Sequence, residues 1–222
     1  MTTGVDVENM TRNSMLVDVI GNWLFTLIIL PLTLIFLIRN FGLEFVTNDY
    51  VKLILEFVFV GMFPLIVVLA RREKWEDYGF TLVNCRKSVV YGLTLAAPFM
   101  ILRVYAYLFL GYVGWSWNLN PLLFLPVLVV YGPLEAFFVI FSVYKMDKGL
   151  SSKRLVSIGL IFSSILFGLM HIINYIWYPD IMLILRNYVL GNIIPALFIG
   201  LIFKKSNSIV GPALFWSLLN FF

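Results

Sequence analysis

Four polar residues lie in stretches of the chain that are otherwise apolar. Glu135 lies in YGPLEAFFVIF, His171 ends FGLMH, Asn220 ends WSLLN, and Arg103 lies in FMILRVYAY. An acidic side chain near the middle of a bilayer costs about 2.5–3.5 kcal/mol on insertion scales, so such residues face a cavity or a partner and indicate a functional site. A carboxyl group in a hydrated cavity can act as a general base on water. Glu135 is therefore a candidate general base.

Each of the four residues also has a structural interpretation. A protonated Glu135 can hydrogen-bond between helices, and so can His171 near a membrane interface. An isolated Asn220 is more typical of helix–helix contact. Arg103 is predicted to extend toward the interface, with an ion pair to Glu135 as the alternative. None of the four identifies a function alone.

The two residues before Glu135 predict a local break in the helix. Gly132 and Pro133 precede it, and proline removes one backbone donor and clashes with the preceding turn. A carbonyl freed inside a membrane must find water or another polar partner. Glu135 lies about ten residues before Lys145, so it is roughly 15 Å from the basic end of its helix. We predict that this segment forms the wall of a small hydrated pocket.

The composition defines the kind of protein that holds these residues. The chain has 222 residues, of which 61% are hydrophobic and 13% charged, and its mean hydropathy is +0.96. Soluble domains carry about 45–50% apolar and about 25% charged residues, so the composition predicts an integral membrane protein. The net charge of +4 comes mostly from residues between apolar segments, where basic residues orient a protein in the bilayer. No nucleic-acid partner is predicted.

The apolar segments predict the fold class. A spanning helix needs about 17–25 mostly apolar residues. We predict an all-α, polytopic transmembrane helical bundle of about seven spans, forming a single domain over residues 1–222 because no linker or repeat divides the chain. The polar first dozen residues do not resemble a cleaved signal peptide, so the first span is expected to remain as an anchor. The predicted spans are about 20–38, 51–70, 88–112, 121–144, 155–174, 181–203 and 208–222.

The connecting loops alternate in charge. Those after the second, fourth and sixth spans contain Lys and Arg, whereas 113–120 and 175–180 contain neither and contain or adjoin aromatic residues. Because basic loops are retained in the cytoplasm, this predicts a cytoplasmic N-terminus and an outward C-terminus, in the plasma membrane. The segment 71–87 mixes charged and aromatic residues and is predicted to be a surface connector or, alternatively, a docking site. The basic residues of the loops after the second, fourth and sixth predicted spans are Arg71, Arg72, Lys74, Arg86, Lys87, Lys145, Lys148, Lys153, Arg154, Lys204 and Lys205.

The counts of cysteine and histidine exclude several classes. One cysteine, Cys85, excludes an intramolecular disulfide. One histidine, His171, excludes the zinc proteases that need two imidazoles on one helix face. No Cys/His cluster has the spacing of metal ligands, so no metal and no cofactor is predicted.

Three segments together resemble a known family. Glu135 follows the Gly-Pro pair, Phe167 and His171 form F-x-x-x-H within SSILFGLMH, and Asn220 closes GLIFKKSNSIVGPALFWSLLN. This order is similar to the CAAX-processing and bacteriocin-immunity family of intramembrane proteases, relatives of the type II CAAX prenyl endopeptidase. The motifs of that family are E-E-x-x-x-R, F-x-x-x-H and H-x-x-x-N. The resemblance covers about residues 122–222.

The resemblance implies a role for each matching residue. Glu135 corresponds to the glutamate that activates the hydrolytic water. His171, with Phe167 four residues before it, corresponds to the histidine that positions water or stabilises the tetrahedral intermediate. Asn220 corresponds to a contributor to the oxyanion hole. The implied partner is a peptide or lipidated protein substrate in the lipid bilayer.

The chain departs from the family motifs at three positions. Ala136 stands in place of the second glutamate, Ile140 in place of the arginine, and Trp216 in place of the second histidine. Ile140 cannot hold the acidic group ionised, and Trp216 keeps one N–H donor but is larger than an imidazole. Loss of one oxyanion donor costs about 10²–10³ in rate in other enzymes. The base and one histidine remain, without most of their supporting residues.

Three functions are consistent with these residues. The first is an intramembrane endopeptidase that cleaves a membrane-associated or prenylated substrate. The second is a catalytically impaired relative, possessing the same cavity, that binds a peptide, a lipidated partner or a toxin in an immunity role. The third is a small transporter that uses Glu135 as a proton or cation site. The peptidase also requires that the fifth span be tilted or start after Arg154, because His171 is otherwise about 25 Å from the basic end.

Overall fold

In this computed structural model the protein is described over residues 4–110, 130–176 and 179–221. Those three ranges contain helices and turns and no β-strand. The α-helices are α1 (Gly4–Leu24), α2 (Leu30–Phe41), α3 (Leu43–Thr47), α4 (Asp49–Glu56), α5 (Phe63–Ala70), α6 (Cys85–Leu110), α7 (Glu135–Gly149), α8 (Ile158–Met170), α9 (Ile181–Leu183), α10 (Gly191–Ser206) and α11 (Val210–Phe221). The π-helical turns are Phe25–Ile29, Phe57–Met62, Val130–Leu134 and Ile184–Leu190, and the 3₁₀ turns are Trp75–Tyr78 and His171–Ile176.

Five helical stretches are long and apolar enough to cross a membrane, so the predicted all-α, multi-pass membrane fold is confirmed. The predicted span 121–144 lies partly outside the described residues. The predicted span 208–222 corresponds to α11, whose 12 residues rise about 18 Å, less than the roughly 30 Å hydrocarbon core. The total of about seven spans therefore stays a prediction. The five stretches are Arg12–Phe41, Asp49–Ala70, Cys85–Leu102, Ile158–Ile176 and Ile181–Ser206.

The helix ends follow from local side-chain chemistry. The side chains of Asn48, Ser157 and Asp180 accept hydrogen bonds from backbone N–H groups in the first turns of α4, α8 and α9. These groups have no partner inside a helix, and such caps satisfy them. Helices α2 and α10 end at Gly42 and Asn207, whose φ angles are +85° and +52°. Glycine and asparagine adopt positive φ most readily, so they mark these ends.

Helix α7 lies at the centre of the bundle. Every side chain from Glu135 to Val143 is buried. A helix that is apolar on all sides must be surrounded by other helices, and α1, α8, α10 and α11 pack against α7. Trp23 of α1 meets the ring of Phe138 edge-on, with 4.7 Å between the ring centroids. This packing fixes the position of Glu135, the first residue of α7.

Helices α6 and α11 approach each other closely through small residues. A Cβ on Gly92 would lie 2.5 Å from the carbonyl oxygen of Gly211. The hydroxyl of Ser88 accepts from the backbone N–H of Gly211 at 2.9 Å and donates to the carbonyl of Ser208 at 3.1 Å. Small residues let helices pack closely in membranes, and hydroxyl groups link them. The contact holds α11 in place, and α11 carries Trp216 and Asn220.

A group of ion pairs centred on a buried lysine lies at the end of the bundle where the basic loops are. The side chain of Lys145 is fully buried, and its Nζ lies 2.6 Å from Oδ2 of Asp18 and 2.7 Å from Oε1 of Glu73. Arg71 completes the group, with Nη2 at 2.6 Å from Oδ1 of Asp18. We call these four residues the basic-end cluster. The cluster joins α1, the loop after α5 and the C-terminal part of α7.

The remaining basic loops meet at the same end. Lys204 donates to Asp147, and to Ser157 at 2.9 Å, which links α10 to the α7–α8 connection. The backbone N–H of Ile209 donates to the carbonyl of Gly79 at 2.9 Å. The three basic loops after α5, α7 and α10 are therefore gathered at one end of the described bundle, which is the arrangement that their alternating charge requires.

Part of the segment 71–87 packs inward, where the sequence predicted a surface connector. Tyr78 is 1% exposed, and its ring packs against those of Phe141 and Tyr144. Its hydroxyl donates to Glu73. Burial and this neighbouring carboxylate raise the pKa of Tyr78 well above its usual range. The tyrosine thus stays a hydrogen-bond donor to the basic-end cluster.

Candidate active site

Glu135 follows an interruption in its helix. Residues Val130–Leu134, which include Pro133, form a π-helical turn, and regular α-helix begins at Glu135. The break that proline predicted in this segment is therefore present. Gly132 explains how α11 can lie beside the turn, because a Cβ there would be 2.9 Å from Cβ of Ser217 and 3.1 Å from the carbonyl of Ala213. Turns of this kind are frequent at functional sites.

The carboxyl group of Glu135 is buried and lies beside polar groups of α11. It is 4% exposed. The indole N–H of Trp216 donates to its Oε2, and the side chain of Asn220 lies close enough to interact electrostatically with it. Both partners come from α11. The structure therefore brings together two of the three predicted catalytic residues, Glu135 and Asn220.

A second carboxyl group, which the sequence analysis did not select, lies in the same site. The side chain of Glu56 is in hydrogen-bonding contact with Glu135. Glu56 is the last residue of α4 and is followed by the π-helical turn Phe57–Met62. Its Oε1 atom is buried and makes no hydrogen bond within the described part of the chain. We call Glu56 and Glu135 the carboxyl pair.

The sequence carried a signal for Glu56. The residue lies in LILEFVFVG, an acid between apolar residues, as Glu135 does. The predicted span began at residue 51, which placed Glu56 less than two turns from a polar end, where an acid is ordinary. It also lies outside the part of the chain that resembles a family. Only the packing of α4 against the segment before α7 indicates its role.

His171 lies beside this site, separated from Glu135 by aromatic rings. It caps α8 and begins the following 3₁₀ turn. The Phe167 ring contacts both His171 and Trp216, with centroid distances of 5.2 and 5.5 Å. No hydrogen bond or ion pair of the described residues joins His171 to Glu135. The predicted meeting of all three residues around one water molecule stays a prediction.

The hydrogen bonding of His171 fixes which ring nitrogen can take part in chemistry. Its Nδ1 lies 2.8 Å from the carbonyl oxygen of Phe167. A carbonyl only accepts, so Nδ1 carries a proton, and in the neutral ring Nε2 is the acceptor. The amide of Asn174 donates to the carbonyl of His171 at 2.9 Å, which holds the turn in place. The imidazole is therefore oriented, with Nε2 as its available acceptor.

The three substituted motif positions are all buried. Ala136 and Ile140 are 0% exposed and form part of the core around α7, and Trp216 is 3% exposed. An arginine at position 140 would place a guanidinium group in this core. The indole of Trp216 occupies the space between Phe167 and Glu135 and supplies one N–H donor to the carboxyl group.

Two further predictions about this region concern charge. The structure describes the backbone of Arg103 in α6, but its side chain lies outside the described residues, so its pairing with Glu135 stays a prediction. Among the residues that are described, no group of three or more His, Cys, Asp or Glu side chains is arranged to hold a metal ion. Within that part of the chain the contacts of the carboxyl pair are thus with each other and with neutral donors.

The fold and this site define a multi-pass membrane protein with two buried carboxyl groups at a break between helices. The family model described as Type II CAAX prenyl endopeptidase Rce1-like matches residues 116–222. The match covers the C-terminal part of the chain, and it confirms the resemblance that the three motifs indicated. No curated protein and no solved structure matches the chain.

Proposed function

We propose that the protein is an intramembrane endopeptidase that cleaves a membrane-associated or prenylated protein. The observation that carries this proposal is the buried carboxyl group of Glu135, which accepts from Trp216 and lies close to Asn220 inside the region that matches the family. Buried carboxyl groups with neutral partners are costly in a membrane and are retained for chemistry. Residues 1–222 form one integral membrane domain in this proposal.

In this mechanism Glu135 removes a proton from water. A carboxylate has about four acceptor positions, and the indole N–H of Trp216 occupies one of those of Glu135, so acceptor positions remain for a water molecule. As the O–H proton passes to Glu135, the oxygen bonds to the substrate carbonyl carbon and the C=O π electrons move to the carbonyl oxygen. The tetrahedral intermediate then collapses, the C–N bond breaks, and the proton passes from Glu135 to the leaving nitrogen. His171 and Asn220 orient the water and stabilise the negative oxygen.

The orientation of the protein follows from its loop charges. The basic loops meet at one end of the bundle, where the basic-end cluster also lies. We propose that this end faces the cytoplasm, with the N-terminus inside and the protein in the plasma membrane. A prenylated substrate would enter from the lipid.

A cleavage assay tests the proposal. The full chain in lipid nanodiscs is incubated with a prenylated CAAX peptide, and the products are identified by mass spectrometry. The Glu135→Gln variant is expected to lose about 10²–10⁴ in rate, because it cannot accept the proton. Glu44→Gln, which changes an exposed acid of α3, is the matched control and is expected to cleave normally. Equal cleavage by Glu135→Gln would contradict the proposed base.

A second candidate is a family member that binds without cleaving, in an immunity role. The observation that favours it is the set of substitutions at Ala136, Ile140 and Trp216, which remove most of the family's supporting groups. This candidate predicts no cleavage of any prenylated peptide, together with saturable binding of the peptide by both the wild type and Glu135→Gln. Loss of binding in Glu135→Gln would argue against it.

A further inference from the structure

Each member of the carboxyl pair lies directly beside a π-helical turn. Glu56 immediately precedes the π-helical turn Phe57–Met62, and Glu135 immediately follows the turn Val130–Leu134. The two turns pack against each other. A Cβ on Gly61 would lie 3.0 Å from Cδ1 of Leu134, so the absence of a side chain at Gly61 allows this close approach. The contact between the two acids is therefore built by the packing of two helix interruptions.

The turn after Glu56 is also tied to α1. The hydroxyl oxygen of Thr26 lies 2.9 Å from the carbonyl of Phe59 and 3.1 Å from the carbonyl of Asn22. A π-helical turn leaves backbone carbonyls without their usual partners, and in a membrane these must be satisfied inside the protein. Thr26 is buried and satisfies one of them. The segment that carries Glu56 is thus fixed relative to the bundle, and its side chain is held toward Glu135.

Two carboxyl groups in contact inside a membrane cannot both be ionised. Like charges that share a buried site retain one proton between them. The groups that face Glu135 are Glu56, Trp216 and Asn220, and neither of the last two carries a charge. Lys145, on the same helix as Glu135, is committed to the basic-end cluster. No described Lys or Arg side chain contacts the pair, so a shared proton is the available way to reduce its charge.

We propose that Glu56 is a positioning residue of the site, which holds the one proton of the carboxyl pair and donates it in a hydrogen bond to Glu135. This inference deepens the proposed function and rests on it. The donated bond holds Glu135 in place and leaves it an ionised oxygen for the attacking water. Ala136 follows Glu135 directly, so the second carboxyl group of the site comes from α4, a helix outside the matched region.

The proton held by Glu56 is not consumed in the reaction. Water gives its proton to Glu135, the hydroxyl oxygen bonds to the carbonyl carbon, and the same proton later passes from Glu135 to the leaving nitrogen. The Glu56 proton remains between the two carboxyl groups throughout. The buried Oε1 atom of Glu56 makes no hydrogen bond within the described part of the chain, so the pair retains an unused acceptor.

Infrared spectroscopy of the full chain in nanodiscs tests the shared proton without any need for activity. The wild type at neutral pH is expected to show the C=O band of a protonated carboxyl group. Glu56→Gln is expected to lose that band, because Glu135 is then ionised, whereas Glu135→Gln is expected to keep it on Glu56. Glu44→Gln is the control and should leave the band unchanged. A band that persists in Glu56→Gln would overturn the proposal, whatever the cleavage assay gives.

Kinetics of three Glu56 variants test the positioning role. Glu56→Gln retains an N–H donor toward Glu135 and is expected to keep kcat within about threefold of the wild type. Glu56→Leu retains the volume without the donor and is expected to lower kcat by about 10- to 100-fold with KM unchanged, as for the loss of an outer hydrogen-bond partner. Glu56→Ala should resemble Glu56→Leu. If Glu56→Leu keeps the same kcat as Glu56→Gln, the side chain at position 56 only fills space, and the proposed positioning role is wrong.

Discussion

Acidic side chains inside the described part of the bundle have two different kinds of partner. In the basic-end cluster each acid contacts a cation, with Lys145 fully buried between two of them. In the carboxyl pair, Glu56 and Glu135 contact each other and neutral donors such as Trp216. An acid beside a cation joins segments of the chain. Two acids beside each other oppose folding, and such groups are typical of sites that perform chemistry.

This difference separates residues that stabilise the fold from residues that are expected to contribute to activity. The basic-end cluster connects α1, α7 and the loop after α5, so its loss should lower stability. The carboxyl pair lies between two helix interruptions, so its loss should leave stability almost unchanged and remove activity. Four substitutions test this difference between the two regions.

Replacing the central cation should destabilise the fold most. Lys145→Met removes the cation that Asp18 and Glu73 share, and breaking a buried ion pair costs about 3–5 kcal/mol when no other cation compensates. Because Arg71 still pairs with Asp18, we expect a loss near the lower end of that range. We expect a clearly lower midpoint of thermal unfolding in detergent. Lys52→Met, at a half-exposed ion pair with Asp49, is the control and should change stability by less than about 1 kcal/mol. Equal stability of the two variants would remove the structural role of the cluster.

Replacing the indole donor should reduce activity without unfolding the protein. Trp216→Phe keeps an aromatic ring against Phe167 but removes the N–H donated to Glu135. Without this donor the Glu135 carboxyl group loses the partner that orients it, so we expect kcat to fall about 10- to 100-fold, as for the loss of an outer hydrogen-bond partner. Trp216→His restores an N–H donor and the family residue and should retain more activity than Trp216→Phe. The reverse order of the two variants would show that the hydrogen bond does not matter.

Crowding the helix interruption should displace α11. In Gly132→Ala the new Cβ would meet the side chain of Ser217, and overpacking of this kind costs about 1–3 kcal/mol. Because α11 carries Trp216 and Asn220, we expect lower cleavage together with lower stability. Gly191→Ala is the matched control, since the nearest atom to its Cβ lies at 3.8 Å. The same unfolding midpoint for both alanine variants would contradict the described packing.

Removing one cap should have the smallest effect. Ser157 caps α8 and also contacts Asp147 and Lys204. Ser157→Ala is expected to cost about 1–2 kcal/mol, at the upper end of the range for an N-cap. Asp180→Ala removes the N-cap of α9. Because the Asp180 side chain is exposed, this change should cost about 0.5–1 kcal/mol. If Asp180→Ala lowers the free energy of unfolding more than Ser157→Ala does, the contacts of Ser157 with the ion pair add nothing.

The sequence was sufficient for the features that depend on local pattern. Runs of apolar residues predicted the membrane helices, Pro133 predicted the break before Glu135, and the motif spacing predicted a family that the comparison confirmed. Features that depend on packing between distant segments were not predictable. Glu56 matches no motif, and its contact with Glu135 arises only because α4 packs beside the break. The position of the Phe167 and Trp216 rings between His171 and Glu135 likewise depends on how the helices are tilted and rotated.

The most direct test of the account measures activity and stability on the same Glu135→Gln sample. We expect that cleavage of a prenylated peptide falls by about 10²–10⁴, while the unfolding midpoint stays within about 2 °C of the wild type. That result would separate the carboxyl pair from the basic-end cluster, whose loss lowers the midpoint. A Glu135→Gln protein that still cleaves, but unfolds at a much lower temperature, would show that Glu135 is a structural residue and would contradict the account.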